Sequence, residues 1–294
     1  MIDIKVDLKK LMVIPILILI LSASLIYYLG LKMGIDFEGG TFAIAKLNVK
    51  TDTTALELKF KDSLNTPDVK VLSAGENQVL IEIARLEVST EKINEILGDI
   101  GKTEASRRVG AAISAKFWYQ AINALVLSYV LMAIIVLIAF RTIIPSFAVM
   151  LAAFSDIVIA LGGMAIFEIP LSLASTAALL MLIGYSVDTD ILLTTRILKT
   201  KVGTYEERMS AAMKTGLTMT FTAIAAVGML YIFSSGVLAS AIGVTPSAEL
   251  SQITSVLVIG LIGDIPNTWI QNNYILKTYV ERKERKILMR RKKK

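Results

Sequence analysis

Asp188 and Asp190 lie inside a strongly apolar part of the chain, where a charged side chain is costly. The apolar run 171–183 leads directly into residues 184–196, which read GYSVDTDILLTTR. An ionised carboxylate within a bilayer costs about 2.5–3.5 kcal/mol on insertion scales, so acids there usually serve an ion path or a polar contact between helices. These two uses are the chemistry that the segment offers.

Two further acids, Asp156 and Asp264, lie in other apolar stretches. At about 1.5 Å per helical residue, all four acids fall in the half of the membrane nearest Arg196. The apolar stretches contain no Lys or Arg that pairs with them. Low dielectric disfavours a charged carboxylate, so we expect the acids to be largely protonated. This state suits a proton relay, and it equally suits a neutral packing contact.

The two acids of segment 184–196 are expected to face different neighbours. On a helix, Asp188 shares a face with Gly184 and Thr195, whereas Asp190, two positions further on, points elsewhere. The short turn 168–170 makes the spans on either side of it neighbours, so Asp156 is expected to approach Asp188. The pattern therefore favours Asp188 as the relay residue and Asp190 as a helix-packing residue.

Composition restricts the class of protein. The 294 residues are 54% hydrophobic and 19% charged, with a mean hydropathy of +0.65, which indicates a polytopic membrane protein with a polar insert. The absence of Cys and His excludes disulfides, Ser-His triads and His- or Cys-ligated metals. We therefore expect no enzyme chemistry of those kinds, no metal and no cofactor.

Six apolar segments are long enough to span a bilayer, at 11–31, 121–140, 145–167, 171–195, 215–235 and 250–270. A cleaved signal peptide ending near Ser22-Ala23-Ser24 is the alternative for the first, although its apolar run continues past that site. Lys and Arg concentrate in residues 1–10, at Arg141, in 196–214 and in 277–294, which six spans place on one side. Both termini are therefore expected in the cytoplasm and residues 32–115 outside it.

The tail 277–294 carries ten Lys and Arg against two Glu, so it accounts for the basic net charge of +6. A basic tail of this kind determines topology and contacts anionic lipid. A cytoplasmic partner such as the RNA-rich surface of a ribosome is the alternative. The charge does not indicate a domain that binds a specific nucleic acid.

Residues 32–115 form the polar block between the first span and the five-helix segment 116–276. Short alternating patterns predict the order β-α-β-β-α-β, which is the ferredoxin-like arrangement of an antiparallel sheet with both helices on one face. Thr51 or Asp52 is expected to cap the first helix, and Ser89 or Thr90 the second. Asp36 and Glu38 precede the first strand, either as a cation site or as loop residues.

Within the spans, Gly162-Gly163 and the pair Gly260 and Gly263 predict close helix approach. The threonines of 215–222 are expected to bond their own helix backbone. Pro266, two residues after Asp264, predicts either a break that exposes carbonyl groups or an ordinary kink.

Three features together resemble SecF proteins of the SecD/SecF family, within the resistance-nodulation-division superfamily. The first is GIDFEGGT at 34–41, the second is the segment 184–196, and the third is the layout of one span, an outer domain and five spans. The resemblance covers essentially the whole chain. It assigns family-motif status to Gly34, Asp36, Gly39, Gly40, Gly184, Tyr185, Ser186 and Arg196.

In their individual residues, these motifs resemble archaeal rather than bacterial members of the family. Asp188, Thr189 and Asp190 stand where bacterial members usually carry Asn, Asp and Thr, which displaces the acid most often assigned to proton coupling. Ser155 stands where bacterial relatives have His, directly before Asp156.

The resemblance implies an accessory subunit of the Sec translocase in the cytoplasmic membrane. It would pair with SecD, act beside the SecY channel on a translocating polypeptide, and draw on an ion gradient. Two other functions remain open: an ion-coupled exporter of small hydrophobic solutes, which would have to dimerise, and a structural or assembly subunit whose acids only pack.

Overall fold

A computed structural model of the chain describes residues 8–48, 52–73, 77–200, 202–235 and 247–292. In these ranges, six helical segments are long and apolar enough to cross a membrane. They comprise α1 and α2 (Leu8–Leu11 and Val13–Leu29), α6 (Ala111–Phe140), α7 (Ile143–Ile166), α8 (Leu173–Lys199), α9 (Tyr205–Ser234), and α10 (Ala248–Pro266) with its continuation α11 (Asn273–Lys292). The chain is thus a multi-pass membrane protein by its helices. The expected connection 236–249 and the possible cap Thr51 fall largely outside the described residues.

A small α+β domain lies between α2 and α6. After the short helix α3 (Ile35–Glu38), its elements are β1 (Gly40–Leu47), α4 (Thr53–Leu64), β2 (Val69–Ser73), β3 (Gln78–Ala84), α5 (Thr90–Leu97) and β4 (Gly101–Val109). The described strands form an antiparallel sheet in the order β2-β3-β1-β4. Asp52 and Ser89 cap α4 and α5 by accepting hydrogen bonds from Thr54 N and Lys92 N, two of the caps that the sequence predicts.

The core of this domain follows from strand alternation. Ala43, Ala45 and Leu47 of β1 point to one side and pack with Phe60 of α4 and Ile93 of α5, all buried. Because successive strand residues face opposite sides, the intervening Phe42 and Ile44 point to the other face. That face lines a cleft of about 740 Å³ against the ends of the spans that adjoin this domain.

Small residues allow the spans to approach closely, as the sequence predicts. A Cβ added at Gly162 of α7 would lie 2.6 Å from Cβ of Ser22 on α2. A Cβ at Gly260 of α10 would lie 2.3 Å from Cδ2 of Leu182 on α8. Without a hydrophobic driving force inside the bilayer, such close backbone approach is a main source of helix association. These contacts bring α7 against α2 and α10 against α8, and Gly263 of α10 packs in the same way against Ile159 of α7.

The last span does not break at Pro266. It passes from α10 into a π-helical turn at Asn267–Asn272 and continues as α11. Proline has no N–H to donate to the carbonyl four residues earlier, and a π-helical turn absorbs such a fault without ending the helix. The helix therefore continues past residue 270, the predicted end of the last span, and runs through the tail to Lys292.

Candidate functional site

Three acids converge in the interior of the bundle: Asp156 of α7, Asp190 of α8 and Asp264 of α10. Their relative exposures are 0%, 0% and 1%. The contacts between these three helices, made close by their glycines, bring the carboxyl groups together. The burial of three acids in one cluster is the most unusual chemical feature of the bundle, since unpaired charges there are costly.

Asp156 has a hydrogen-bond donor for each carboxyl oxygen. Ser186 Oγ donates to Oδ2 at 2.5 Å, and Asn267 Nδ2 donates to Oδ1 at 2.6 Å. The serine belongs to α8 and the asparagine to the π-helical turn, so Asp156 joins three elements. Both donors stabilise a carboxylate more than they would a neutral acid.

Asp190 is bonded on one side only. Thr268 Oγ1 and Asn272 Nδ2 lie 2.9 and 2.7 Å from its Oδ1 atom, whereas Oδ2 is buried and has no hydrogen-bond partner in the structure. An oxygen that is buried without a partner is costly. It is also the position at which a transferable proton would be bound.

Asp264 shares a hydroxyl group with Asp190. Thr268 Oγ1 lies 2.9 Å from Oδ1 of Asp264 as well as 2.9 Å from Oδ1 of Asp190. A hydroxyl group has one hydrogen to donate, so it satisfies one carboxylate and can only accept from the other. Both contacts are hydrogen bonds only when one of the two acids carries a proton. The geometry therefore favours a single proton shared between Asp190 and Asp264 through Thr268.

The other side of Asp264 shows the same shortage of donors. Thr189 Oγ1 lies 3.2 Å from Oδ2 of Asp264, and it also lies 3.1 and 3.2 Å from the backbone carbonyls of Ser186 and Tyr185. One hydrogen again faces several acceptors. No ion pair among the described residues includes any of the three acids, and the described side chains form no group suited to a metal ion.

The expectation that Asp188 approaches Asp156 is wrong. Asp188 is exposed, on the same face of α8 as Gly184, Tyr185 and Arg196, all of them exposed. Ser186 and Asp190 occupy the buried face. Two positions along a helix turn the side chain by about 200°, so only one acid of the pair can enter the cluster, and α8 directs Asp190 inward. Asp190, for which the sequence favours a packing role, therefore lies in the acid cluster, and Asp188, for which it favours a relay role, lies outside it.

The π-helical turn contributes polar groups that sequence reasoning missed. Asn267, Thr268 and Asn272 are not among the residues that the sequence predicts for the site. All three are buried, as are the neighbouring Gln271 and Asn273. A signal was present: 267–273 reads NTWIQNN, and such amides are expensive in a membrane unless they bond to other buried groups.

The hydroxyls of Thr215, Thr218 and Thr222, by contrast, bond carbonyls of their own helix, as predicted.

The motif GIDFEGG forms a joint between the α+β domain and the bundle. Asp36 is 4% exposed, and its Oδ2 accepts a hydrogen bond from Leu173 N, the first residue of α8, at 3.1 Å. Its Oδ1 accepts from Arg107 Nη2 of β4, also at 3.1 Å. Gly34 N donates to Leu171 O at 2.8 Å, where a Cβ would approach Ser172. The start of α8 is thus fastened to the α+β domain.

Neither acid of this motif serves as a free cation ligand. Glu38 makes two hydrogen bonds of 3.0 Å with Arg85, and Asp36 is bonded as described. Lys32 and Lys70 converge on Glu168 in the α7–α8 turn, and these lysines lower the pKa of that carboxyl. Burial raises the pKa of Glu82 on the nearby sheet face. The joint is therefore an ionic contact surface rather than the loop or cation site that the sequence suggested.

We expect Asp36→Ala to loosen this joint, because it leaves the Leu173 N–H unbonded and removes the carboxylate facing Arg107. The cost should be about 2–4 kcal/mol in unfolding free energy. Denaturant unfolding of the purified chain measures it. Glu38→Ala is the matched control from the same short helix; its more exposed pair should cost about 1 kcal/mol or less. Equal costs for the two variants would contradict the assignment of Asp36 as the fastening residue.

Comparison with known proteins gives consistent matches. Residues 89–282 match the model of the family described as protein export membrane protein SecD/SecF, C-terminal. The chain is 42% identical over 276 residues to the protein-export membrane protein SecF of Methanothermobacter thermautotrophicus, covering 93% of both chains. It is 41% identical over 282 residues to the SecF of Methanocaldococcus jannaschii, covering 93% of this chain and 96% of the relative.

Among solved structures, the chain matches SecDF of Thermus thermophilus, described as a translocon-associated membrane protein. The TM-score is 0.74 at 18% identity, which establishes likeness of fold. The match covers 93% of this chain and 38% of that one. A structure of SecDF in a super-membrane-facing form matches with a TM-score of 0.55.

Proposed function

The chain belongs to the SecD/SecF family of protein-export membrane proteins, and we propose that it is an accessory subunit of the Sec protein translocase, coupled to an ion gradient. It would assist the passage of polypeptides across the cytoplasmic membrane without covalent chemistry of its own. Both termini would lie in the cytoplasm, and the α+β domain, which we assign to the ferredoxin-like type, would lie outside.

One observation carries the ion-coupling part of this proposal: the Thr268 hydroxyl bridges two buried acids with one hydrogen. When Asp190 carries the shared proton on Oδ1, a second proton arriving at its Oδ2 allows a concerted shift. The Oδ1 proton passes to Thr268 Oγ1 while Thr268 passes its own hydrogen to Oδ1 of Asp264, which becomes protonated. The reverse shift restores the starting state, so protons are conserved at each step. Asp156 interacts electrostatically with Asp264 and provides a further acceptor.

Helix α8 offers a mechanical route from this relay to the outer domain. It carries Asp190 near one end and begins at Leu173, whose N–H is bonded by Asp36. A change of protonation alters which hydrogen bonds α8 makes with α10 and the π-helical turn. Because a helix of 27 residues moves as a stiff element, a shift at the acids would displace the Asp36 joint. The cleft beneath the sheet would then open or close on an extended polypeptide.

The exposed face of α8 supports association with a second membrane subunit. Asp188 is exposed at a depth of about 12 Å from Arg196, and Tyr185 is 42% exposed on the same face. Carboxylates inside membranes normally face a protein interior or a polar partner. We propose that SecD covers this face and that the pair acts beside the SecY channel.

Purification of the complex at native expression tests the proposal. A tagged chain should retain a second six-span membrane protein in fixed proportion, together with translocon components, in mild detergent. Recovery only of copies of the chain itself would instead support an exporter of small hydrophobic solutes that dimerises. Recovery of the partner, with export that does not respond to collapse of the ion gradient, would support a structural subunit.

A further inference from the structure

A separate polar surface, which shares no residue with the buried acid cluster, lies at the end of the bundle where α7 begins. It is a groove of about 480 Å³ between the first turn of α7 and one face of α11. The residues that line it are Ile144, Tyr274, Ile275, Thr278, Tyr279, Arg282, Lys283 and Lys286. The ion relay and the outer joint use none of them.

The groove combines an apolar floor with a basic rim. Ile275, Tyr279, Arg282 and Lys286 recur every three or four residues, so they share one face of the helix. Ile144, 50% exposed, faces them from α7. The gradation runs from aliphatic through tyrosine to cationic side chains, and this order matches the boundary between acyl chains and headgroups in a bilayer.

The three cations of the groove are available for a ligand. Arg282, Lys283 and Lys286 are exposed and form no ion pair with a described residue, and neither Glu281 nor Glu284 lines the groove. Lys277 behaves differently, because its Nζ pairs with Glu206 at 3.0 Å and lies over the Tyr205 ring, which fastens α11 to α9. The groove therefore presents a net positive charge beside aromatic hydroxyl groups.

We infer that this groove binds the headgroup of an anionic phospholipid. The phosphate would lie among Arg282, Lys283 and Lys286, with the Tyr279 hydroxyl as a further donor, while an acyl chain runs along Ile144 and Ile275. Phosphate oxygens are strong acceptors for such cations. The apolar floor distinguishes this ligand from a soluble phosphate or from nucleic acid, neither of which would use it.

The test uses the full-length chain in bilayers of phosphatidylcholine, probed with spin-labelled phosphatidylglycerol or spin-labelled phosphatidylcholine. We expect the wild-type chain to immobilise the anionic probe preferentially. The triple variant Arg282→Gln, Lys283→Gln, Lys286→Gln should lower that preference at least about tenfold, because the phosphate loses all three cationic donors of the groove. The matched control Lys214→Gln, Arg285→Gln, Arg290→Gln removes the same charge outside the groove and should lower it less than about threefold.

Three results would overturn the inference. Equal losses in the two triple variants would mean that diffuse charge attracts the lipid. Displacement of the probe by inorganic phosphate at comparable concentration would indicate a site for a soluble anion. Binding of a short single-stranded RNA to the wild-type chain in phosphatidylcholine bilayers, lost in the groove variant, would assign the surface to nucleic acid. Tyr279→Phe should lower the immobilisation of the anionic probe by a few-fold and leave the immobilisation of the phosphatidylcholine probe unchanged.

Discussion

Replacing Asp264 by Asn is expected to lower gradient-dependent protein export by about a hundredfold, within the range attributed to a positioned proton-transfer group. Asparagine keeps the shape and one acceptor oxygen, so the contact with Thr268 survives while the transferable proton is lost. Asp190→Asn and Asp156→Asn should behave similarly, because both acids belong to the same buried cluster. The measurement is the rate of export of a secreted reporter, normalised to the amount of the variant in the membrane.

Variants at Thr268 separate the relay from helix packing. Thr268→Ser retains the hydroxyl between Asp190 and Asp264 and should export at nearly the wild-type rate. Thr268→Val has a similar volume without the hydroxyl, and it should export as poorly as Asp264→Asn. Normal export by all three Asn variants at normal protein level would show that the acids only pack. Replacing the proton gradient by a sodium gradient in the same assay identifies the coupling ion.

The buried acids were largely visible in the sequence, but their arrangement was not. Apolar flanks and helical rise place Asp156, Asp190 and Asp264 in the same half of the membrane. The sequence does not reveal which face of α8 points into the bundle, since that depends on which neighbouring helices cover each face. Asp188 shares a face with Gly184, and only the structure shows whether a neighbouring helix covers that face. In the structure nothing lies within 4 Å of a Cβ built at Gly184.

The polar turn at Asn267–Asn272 was missed for a related reason. Length and hydropathy end the last span near residue 270, and the amides beyond Pro266 then look like interfacial residues. The helix continues because a π-helical turn accommodates the missing proline N–H. The cost of burying these amides is offset by hydrogen bonds to the acids of α7 and α8, such as the bond that Asn267 donates to Asp156. This compensation is a property of three helices together, which a single segment does not reveal.

The α+β domain illustrates the same limit. Local signals identified its strands, its helices and the caps Asp52 and Ser89, because each acts within a few residues. Asp36 receives a hydrogen bond from Leu173, 137 positions away. Such contacts depend on how two folded units meet. The motif marked the position of the joint, and its role became evident from the tertiary structure.

Asp188→Leu should have opposite effects on the isolated chain and on the complex. In the isolated chain the carboxylate is exposed within a span, so leucine should raise the unfolding free energy by about 1–2 kcal/mol, less than the cost of an acid at the bilayer centre. In the complex the same change removes a polar contact with the proposed partner. Co-purification of the second six-span subunit should then fall by about tenfold or more, equivalent to about 1.4 kcal/mol.

The test is selective because the same variant is expected to raise the unfolding free energy of the isolated chain and to lower the recovery of the partner. A residue that faces only lipid would give the gain in stability without loss of the partner, and a residue needed for the fold of the chain would give no gain. Phe221→Leu is the control, because Phe221 of α9 is 57% exposed on another helix and lacks a polar group. It should leave both measurements near their wild-type values. Loss of stability in isolated Asp188→Leu would place Asp188 inside the chain's own packing, and retention of the partner would place the subunit interface on another face of the bundle.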